Sequence, residues 1–300
     1  MSNTLNIRPV RREAAKLVIG LAATSGEGKT YTALLMALGL AGGDPKKVGL
    51  LDTENRRGSL YSDIFHEPFL IGDLNPPFSP TRYISAMREF AETDIECLVI
   101  DSMSHEHEGE GGMEDIAHRP KPNGDPRKIA DWITAKRDHK RFMNALLFLP
   151  CHVICCFRAR EKTDFKNPDK PVSLGLQPIT EKNTLFEMTA SFLLRDAGKK
   201  HDVIKLPSCL SPILGHDGYF TQEDGAKLRE WVGGKDTIET AKNVLRLAAS
   251  EGESRLKEAW KSLDKPAQKT LEAFKDTLKD LATHADAERK EVQAYDGAPD

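Results

Sequence analysis

Residues 16–30 read Lys-Leu-Val-Ile-Gly-Leu-Ala-Ala-Thr-Ser-Gly-Glu-Gly-Lys-Thr, and the next ten, Tyr31 to Leu40, form an apolar run. The segment 16–22 has the length and the Val/Ile content of a short buried strand, and 31–40 has the pattern of an apolar helix. Between them lies Ala23-Thr24-Ser25-Gly26-Glu27-Gly28-Lys29-Thr30, the spacing of a phosphate-binding loop with Ala in place of the usual first Gly. Gly26 and Gly28 reach backbone angles that other residues avoid, so successive N–H groups turn inward as an anion nest. A helix starting near Lys29 points its positive end at the same spot. Lys29 neutralises terminal phosphates, and Thr30 offers a hydroxyl to Mg²⁺, which prefers hard oxygen ligands. Ala23 perturbs the first turn of the loop rather than the site itself.

Outward from the loop, two more strands end in acids. Leu98-Val99-Ile100-Asp101-Ser102 puts a carboxylate at the end of a rigid apolar strand, where a metal-side acid belongs. Leu50-Leu51-Asp52-Thr53-Glu54 ends the strand that follows the loop's helix. Glu54 reads as the base that polarises an attacking water or as a solvated turn acid; Asp52 reads equally as a helix or turn cap.

The remaining periodicity predicts strands at 48–51, 97–100 and 152–157, with shorter ones at 191–194 and 203–206. Ser79 and Pro80 stand at the cap and first turn of a helix with Tyr83, Ile84, Met87 and Phe90 on one face. A long helical pattern runs through Ile129, Trp132, Ile133, Phe142, Leu146 and Leu149. Strands separated by helices predict an α/β fold: a parallel sheet with both faces covered. The stretches 106–124 and 160–180, rich in Gly, Pro and charge, read as long loops, functional or disordered. Residues 1–15 read as a polar, basic arm and 16–234 as the core. Beyond 234 charged residues rise to 40%, against 30% overall. That end reads as a small module of about three helices, with Asp264 and Pro266 at a helix start, Leu271, Phe274, Leu278 and Leu281 on one face, and a loose tail.

The chain has 300 residues, 39% hydrophobic, with a net charge of −3. These values exclude wholesale disorder and a bulk polycation, so any nucleic-acid binding must come from a local patch. No run of about 18 apolar residues predicts a membrane span, and the first residues lack the apolar core of a signal peptide. Five cysteines, an odd number lying mostly in apolar runs, point to reduced thiols in a cytoplasm.

Taken together the residues resemble the RecA-type P-loop ATPase core, including the small core-only recombination ATPases of phages. The likeness spans roughly 14–207 and rests on the order of parts. The phosphate loop comes first, then Asp52-Thr53-Glu54, then Val99-Ile100-Asp101-Ser102. Glu108-Gly109-Glu110-Gly111-Gly112-Met113 resembles the family's first DNA-contacting loop, and 160–180 stands where the second belongs. Asn183-Thr184-Leu185-Phe186-Glu187 resembles the segment that resumes the core. The resemblance implies ATP at 23–30, Mg²⁺ at Thr30 and Asp101, and Glu54 as the catalytic glutamate. It also implies single-stranded DNA or a recombination or annealing protein as partner, a homo-oligomer sharing an arginine finger, and a host cytoplasm if phage-encoded. The family's nucleotide-sensing Gln after the fourth core strand is not evident. Phe157 and Arg158 stand there, and Arg158 reads as a γ-phosphate contact or as surface charge.

Other patterns compete for attention. Eight Lys and Arg in 118–141 (119, 121, 127, 128, 136, 137, 140, 141) suit a DNA backbone or a solvated helix face. His105 and His107 among glutamates offer weak metal ligation. Cys151, His152, Cys155 and Cys156 look zinc-like, but alternation along a strand sends them to opposite faces and favours buried thiols. Two other functions fit the loop: a nucleotide-gated binding protein without DNA activity, and a small-molecule kinase with Arg158, Arg160 and Lys162 on a lid. The early Asp52-Thr53-Glu54 argues against the kinase, and the lack of an Asn-Lys-x-Asp segment argues against a GTPase.

Overall fold

The computed structural model describes residues 15–118, 129–164, 171–233, 236–263 and 265–296. The arm at 1–14, the basic residues Arg119, Lys121, Arg127 and Lys128, and the Asp264 cap lie outside the described residues. The described chain divides into two compact units, Lys16–Glu230 and the part from Trp231 onward.

In chain order the first unit runs β1 (Val18–Ala23), α1 (Lys29–Leu40), β2 (Val48–Asp52), β3 (Leu70–Asp73), α2 (Pro80–Ala91), β4 (Cys97–Asp101), α3 (Ser104–Glu108) and α4 (Met113–His118). It continues with α5 (Ile129–Leu147), β5 (His152–Asp164), β6 (Val172–Pro178), α6 (Thr184–Glu187), β7 (Ala190–Arg195), β8 (Lys200–Lys205), α7 (Ser211–Leu214) and α8 (Gln222–Gly233). The sheet order is β3-β2-β4-β5-β1-β7-β8, with β6 paired to β5. β3, β2, β4, β5, β1 and β7 pair in parallel, while β8 and β6 are antiparallel additions. β1, β2 and β4 are buried along their whole length. Continuous apolar runs such as Cys-Leu-Val-Ile belong in strands covered on both faces, hence the flanking helices. The strand that carries the loop, β1, lies between β5 and β7, and the strand that carries Asp101 is one place removed. The core is a mostly parallel sheet between helices, the α/β arrangement expected from the sequence, and a small helical module follows it in the chain.

Packing follows the helix faces. Tyr83 and Met87 of α2 are buried, and Ile84 and Phe90 pack against the same core as Phe142, Leu146 and Leu149. Pro80 opens α2 after Ser79, whose side chain makes no capping bond. Ile133, expected on the buried face of α5, is exposed.

The described parts of the two long loops of the sequence reading, 106–118 in the first and 160–164 and 171–180 in the second, form regular elements. Within 106–118 the chain forms most of α3 and all of α4, because Met113 and Ala117 find apolar partners in Trp132 and Ala135 of α5. Within 160–180, β5 continues six residues beyond Arg158 and pairs with β6 as a two-stranded ribbon. β3 was not predicted: four residues at a sheet edge, three of them exposed, carry too little periodicity.

α1 and α8 approach closely enough that backbones touch. A Cβ on Gly39 would lie 2.0 Å from the Gln222 carbonyl oxygen, and one on Gly225 would lie 2.1 Å from that of Met36. Gly39→Ala must therefore push two main chains apart. The expected cost is about 3 kcal/mol, a drop in Tm of roughly 6–12 °C. Gly233→Ala, which meets open space, serves as the control, and an equal Tm for the two variants in thermal unfolding would refute the contact.

The second unit holds α9 (Asp236–Ser250), α10 (Glu253–Ser262), α11 (Lys265–Leu271) and α12 (Lys275–Asp296). This is one more helix than the sequence pattern suggests, and the expected loose tail is helical to Asp296. Leu245, Leu256, Leu271, Leu278 and Ala282 form its core with Phe274 packed alongside, whereas Leu281 is exposed.

Candidate nucleotide site

β1 delivers the chain to Ala23, and α1 begins at Lys29. Between them Gly26 and Gly28 adopt φ of 86° and 77°, the left-handed region that glycine enters without steric cost. Gly28 caps α1 with no side-chain bond, so the first-turn N–H groups are left to an anion. The Glu27 carboxylate accepts the Ala197 N–H in the β7–β8 turn. Thr24, Ser25 and Gly26 remain on the rim of the loop, and Ser25 and Gly26 line the cavity beneath it.

Register places the acids. Asp52 stands opposite Asp101 across β2 and β4, and Ala23 opposite Arg158 across β1 and β5. All four lie at the carboxyl ends of their strands or, for Arg158, where β5 leaves the sheet. Thr30 donates its hydroxyl to Asp101 Oδ2, and Lys29 Nζ lies 3.4 Å from Asp101 Oδ1. That oxygen is buried and accepts no hydrogen bond among the described residues. A hydroxyl and an orphaned carboxylate oxygen beside an anion nest fit Mg²⁺, which takes one or two carboxylates and completes its shell with water and substrate phosphate. Burial raises the Asp101 carboxyl above its ordinary value against the pull of Lys29 and Thr30. Burial lowers Lys29, but Asp101, Cys156 and Glu54 outweigh it and keep the ammonium charged.

Glu54 is held up to the same cavity by Asp52. Asp52 accepts the N–H of Glu54 at 2.6 Å and of Gly58 at 2.7 Å, so it is the turn cap of the two readings. The Glu54 carboxylate is paired with Arg158 through both oxygens: Nε reaches Oε1 at 2.8 Å and Nη2 reaches Oε2. Burial raises the Glu54 carboxyl, yet Arg158, Lys29 and His105 together hold it below the usual range. Arg158 is thus neither loose surface charge nor idle.

The cavity, about 200 Å³, opens between the loop and residues 54–61 and is lined by Lys29, Thr30, Glu54, Arg57, Tyr61 and Asp101. A larger hollow of about 340 Å³ near His139 and Thr184 lacks a phosphate nest, so chemistry rather than size marks the site.

Residues the sequence reading missed brace it. Thr53 Oγ1 accepts the Ser102 N–H at 2.7 Å and meets His105 Nδ1 at 2.7 Å, and Tyr83 donates to the Ser102 carbonyl. Ser104 Oγ donates to the Ile179 carbonyl and accepts the Arg158 N–H at 2.9 Å. None of these has a local signature; each joins residues from separate elements, with Tyr83 on α2 and Ser104 and His105 on α3.

The other singled-out residues lie as follows. In the stretch 108–113, which resembles a DNA-contacting loop, Glu110 is exposed, Glu108 and Gly109 are partly exposed, and Gly111, Gly112 and Met113 are buried. His105 stacks on Phe78, and His107 meets Glu114. Cys151, Cys155 and Cys156 are buried free thiols, and His152 Nδ1 accepts the Leu17 N–H. Burial lowers His152 to about 4 and raises Cys151 to about 11. No metal-holding group of three or more His, Cys, Asp or Glu occurs among the described residues. Lys136, Arg137, Lys140 and Arg141 are exposed on α5, with Arg141 3.4 Å from Asp138. Arg160 and Lys162 lie on the β5–β6 ribbon rather than on a lid, with Arg160 3.1 Å from Glu108. Among the described residues no helix is long and apolar enough to cross a membrane.

No curated protein matches the chain in sequence. Among solved structures, a KaiC-like protein from the hyperthermophilic archaeon Pyrococcus horikoshii OT3 matches with 14% identity and a TM-score of 0.37, covering 68% of this chain and 90% of that one. The AAA-domain family model matches residues 15–192, the stretch from just before β1 into β7 and more than half of the sequence. The protein belongs to the AAA-domain family of P-loop ATPases.

Proposed function

We propose that this chain is a Mg²⁺-dependent ATPase that acts on or with single-stranded DNA in recombination or annealing, in keeping with the phage-type resemblance of its sequence. The observation that supports hydrolysis is the convergence of Lys29, Thr30, Asp101 and Glu54 on one cavity at the carboxyl edge of the sheet. Lys29 and the loop N–H groups bind the phosphates. Thr30 and Asp101 would hold Mg²⁺, and the ion would supply charge neutralisation at the phosphate oxygens. Glu54 takes a proton from water as the water oxygen bonds to the terminal phosphorus. The bond from that phosphorus to the bridging oxygen breaks, and ADP leaves with the electron pair.

The β5–β6 ribbon favours a nucleic-acid partner. It leaves the sheet directly after Arg158, with Arg160 opposite Gln177 and ion-paired to Glu108, Lys162 exposed further out, and Val172 and Leu174 exposed on β6. Cations pair with phosphates, and apolar side chains pack on unstacked bases. The test is ATP hydrolysis with and without single-stranded DNA, alongside a mass measurement that detects the expected homo-oligomer. DNA binding should weaken with salt, and Arg160→Ala or Lys162→Ala should each lower the log–log slope by about 0.7. DNA-independent turnover with salt-insensitive binding would instead select the nucleotide-gated protein without DNA activity.

A further inference from the structure

The helical part of the chain from Trp231 onward holds a groove that its own core does not fill. About 410 Å³ opens between α10 and α12. Its floor is Leu256, Trp260 and Leu278, and its rim carries Lys257, Lys261, Lys275 and Lys279. We propose that this groove docks a partner protein through an acidic amphipathic helix of about two turns, with its apolar side chains on the floor and its carboxylates on the lysines. This surface shares no residue with the nucleotide site.

Spacing sets the length of the occupant. Floor and rim residues recur on α10 at 253, 256, 257, 260 and 261, and on α12 at 275, 278, 279 and 283. Each wall is therefore one helix face two turns long, about 12 Å. A helix laid between the walls meets the floor at i, i+3 or i+4, and i+7, the anchor pattern of helix-in-groove recognition. Burial sets its apolar side. Leu256 and Leu278 are 7% and 1% exposed and belong to the core of these helices, so the floor continues that core, and the lysine stems extend it towards solvent. Charge sets its polar side. Four ammoniums face one carboxylate, Glu253, whose oxygens are already engaged by Lys257 at 3.1 Å and Thr283 at 3.3 Å. Lys275 and Lys279 reach Glu272 at 3.0 Å and Asp276 at 3.3 Å, surface pairs worth little and readily traded for a partner's carboxylate. Single-stranded nucleic acid is the poorer fit, because it needs open aromatic faces for its bases. The floor offers two leucines and one indole, and the Lys275 ammonium already lies 4.8 Å from the centre of that ring.

Fluorescence polarisation on the full chain tests this. The probe is a fluorescein-labelled peptide of about 15 residues with Leu at i, i+4 and i+7, Glu flanking that stripe and Ala elsewhere; its counterpart carries Lys for every Glu. The acidic peptide should bind saturably, and the basic one at least about tenfold more weakly. Lys261→Glu with Lys279→Glu, both at exposed positions, should weaken the acidic peptide by about tenfold, through two lost attractions and two new repulsions, and should tighten the basic one. Lys261→Gln with Lys279→Gln adds no repulsion and should weaken the acidic peptide by about threefold; it decides the matter if the charge reversal lowers Tm. An acidic peptide that fails to bind the wild type, or binds all three proteins equally, overturns the proposal. So does oligothymidylate that binds the wild type more tightly than the peptide and loses that binding in the Gln variant, which gives the groove to nucleic acid. A fall in the solution mass of the chain on the same Gln substitutions, with no peptide bound by the wild type, gives the groove to a second copy and overturns it too.

Discussion

Lys29→Ala loses ATP turnover, with kcat/KM falling by at least about 10²–10³-fold, the loss expected when one cation aimed at developing phosphate charge is removed. Two effects add. The ammonium no longer meets the phosphates, and Asp101 loses its nearest cation, 3.4 Å away. Asp101 already has its carboxyl raised by burial, so without Lys29 it takes up a proton more readily and becomes a poorer ligand for Mg²⁺. An uncompensated buried carboxylate also costs stability. Lys29→Ala should therefore unfold at a lower temperature than the wild type, and adding Asp101→Asn should recover much of that loss while leaving turnover absent. Steady-state kinetics and thermal unfolding on the three proteins check both halves. Turnover in Lys29→Ala within a few-fold of the wild type would show that the loop does not bind the reacting phosphates.

Glu54→Gln has the second largest effect, and of a different kind. Removing the proton acceptor should lower kcat by about 10²–10⁴-fold while ATP remains bound, so the variant traps intact nucleotide that can be recovered after gel filtration. The wild-type pH profile carries the same signature. Arg158, Lys29 and His105 hold the Glu54 carboxyl below its ordinary value, so the base stays ionised as pH falls. The acid limb of kcat/KM, which reports the free enzyme, should lie below the usual carboxylate pKa of about 4.3. Normal turnover in Glu54→Gln removes Glu54 from the reaction.

These two residues show how much of the site a sequence displays. Lys29 is legible because its neighbours are: Gly26, Gly28 and Thr30 sit at fixed offsets between a strand and a helix, and the chemistry is local. Asp101 is legible as the acid at the end of an apolar run. Glu54 is half legible, since its position suggests a base or a turn acid, and the cap that presents it, Asp52, is also local. Arg158 is different. Its partner lies 104 positions away, and nothing near Arg158 announces Glu54. The same limit explains why regular elements in the described parts of the two long loops were not read from the sequence. The glycines at 109, 111 and 112 look like flexible punctuation, yet they allow close packing against the backbone around His105 and Glu106 and against Pro77 and Phe78. The extended β5 has no apolar alternation beyond Ala159, because a ribbon outside the core buries little and is held by its pairing with β6.

Local spacing alone thus determined the phosphate nest, the alternation of strands with helices and the acids at strand ends, because backbone conformation and side-chain chemistry over about ten residues settle each of them. Only the folded sheet decided which acid meets which cation. Placing β5 between β1 and β4 brings Arg158 beside the loop and within reach of Glu54, and strand order is a property of non-local packing that no short stretch of residues encodes.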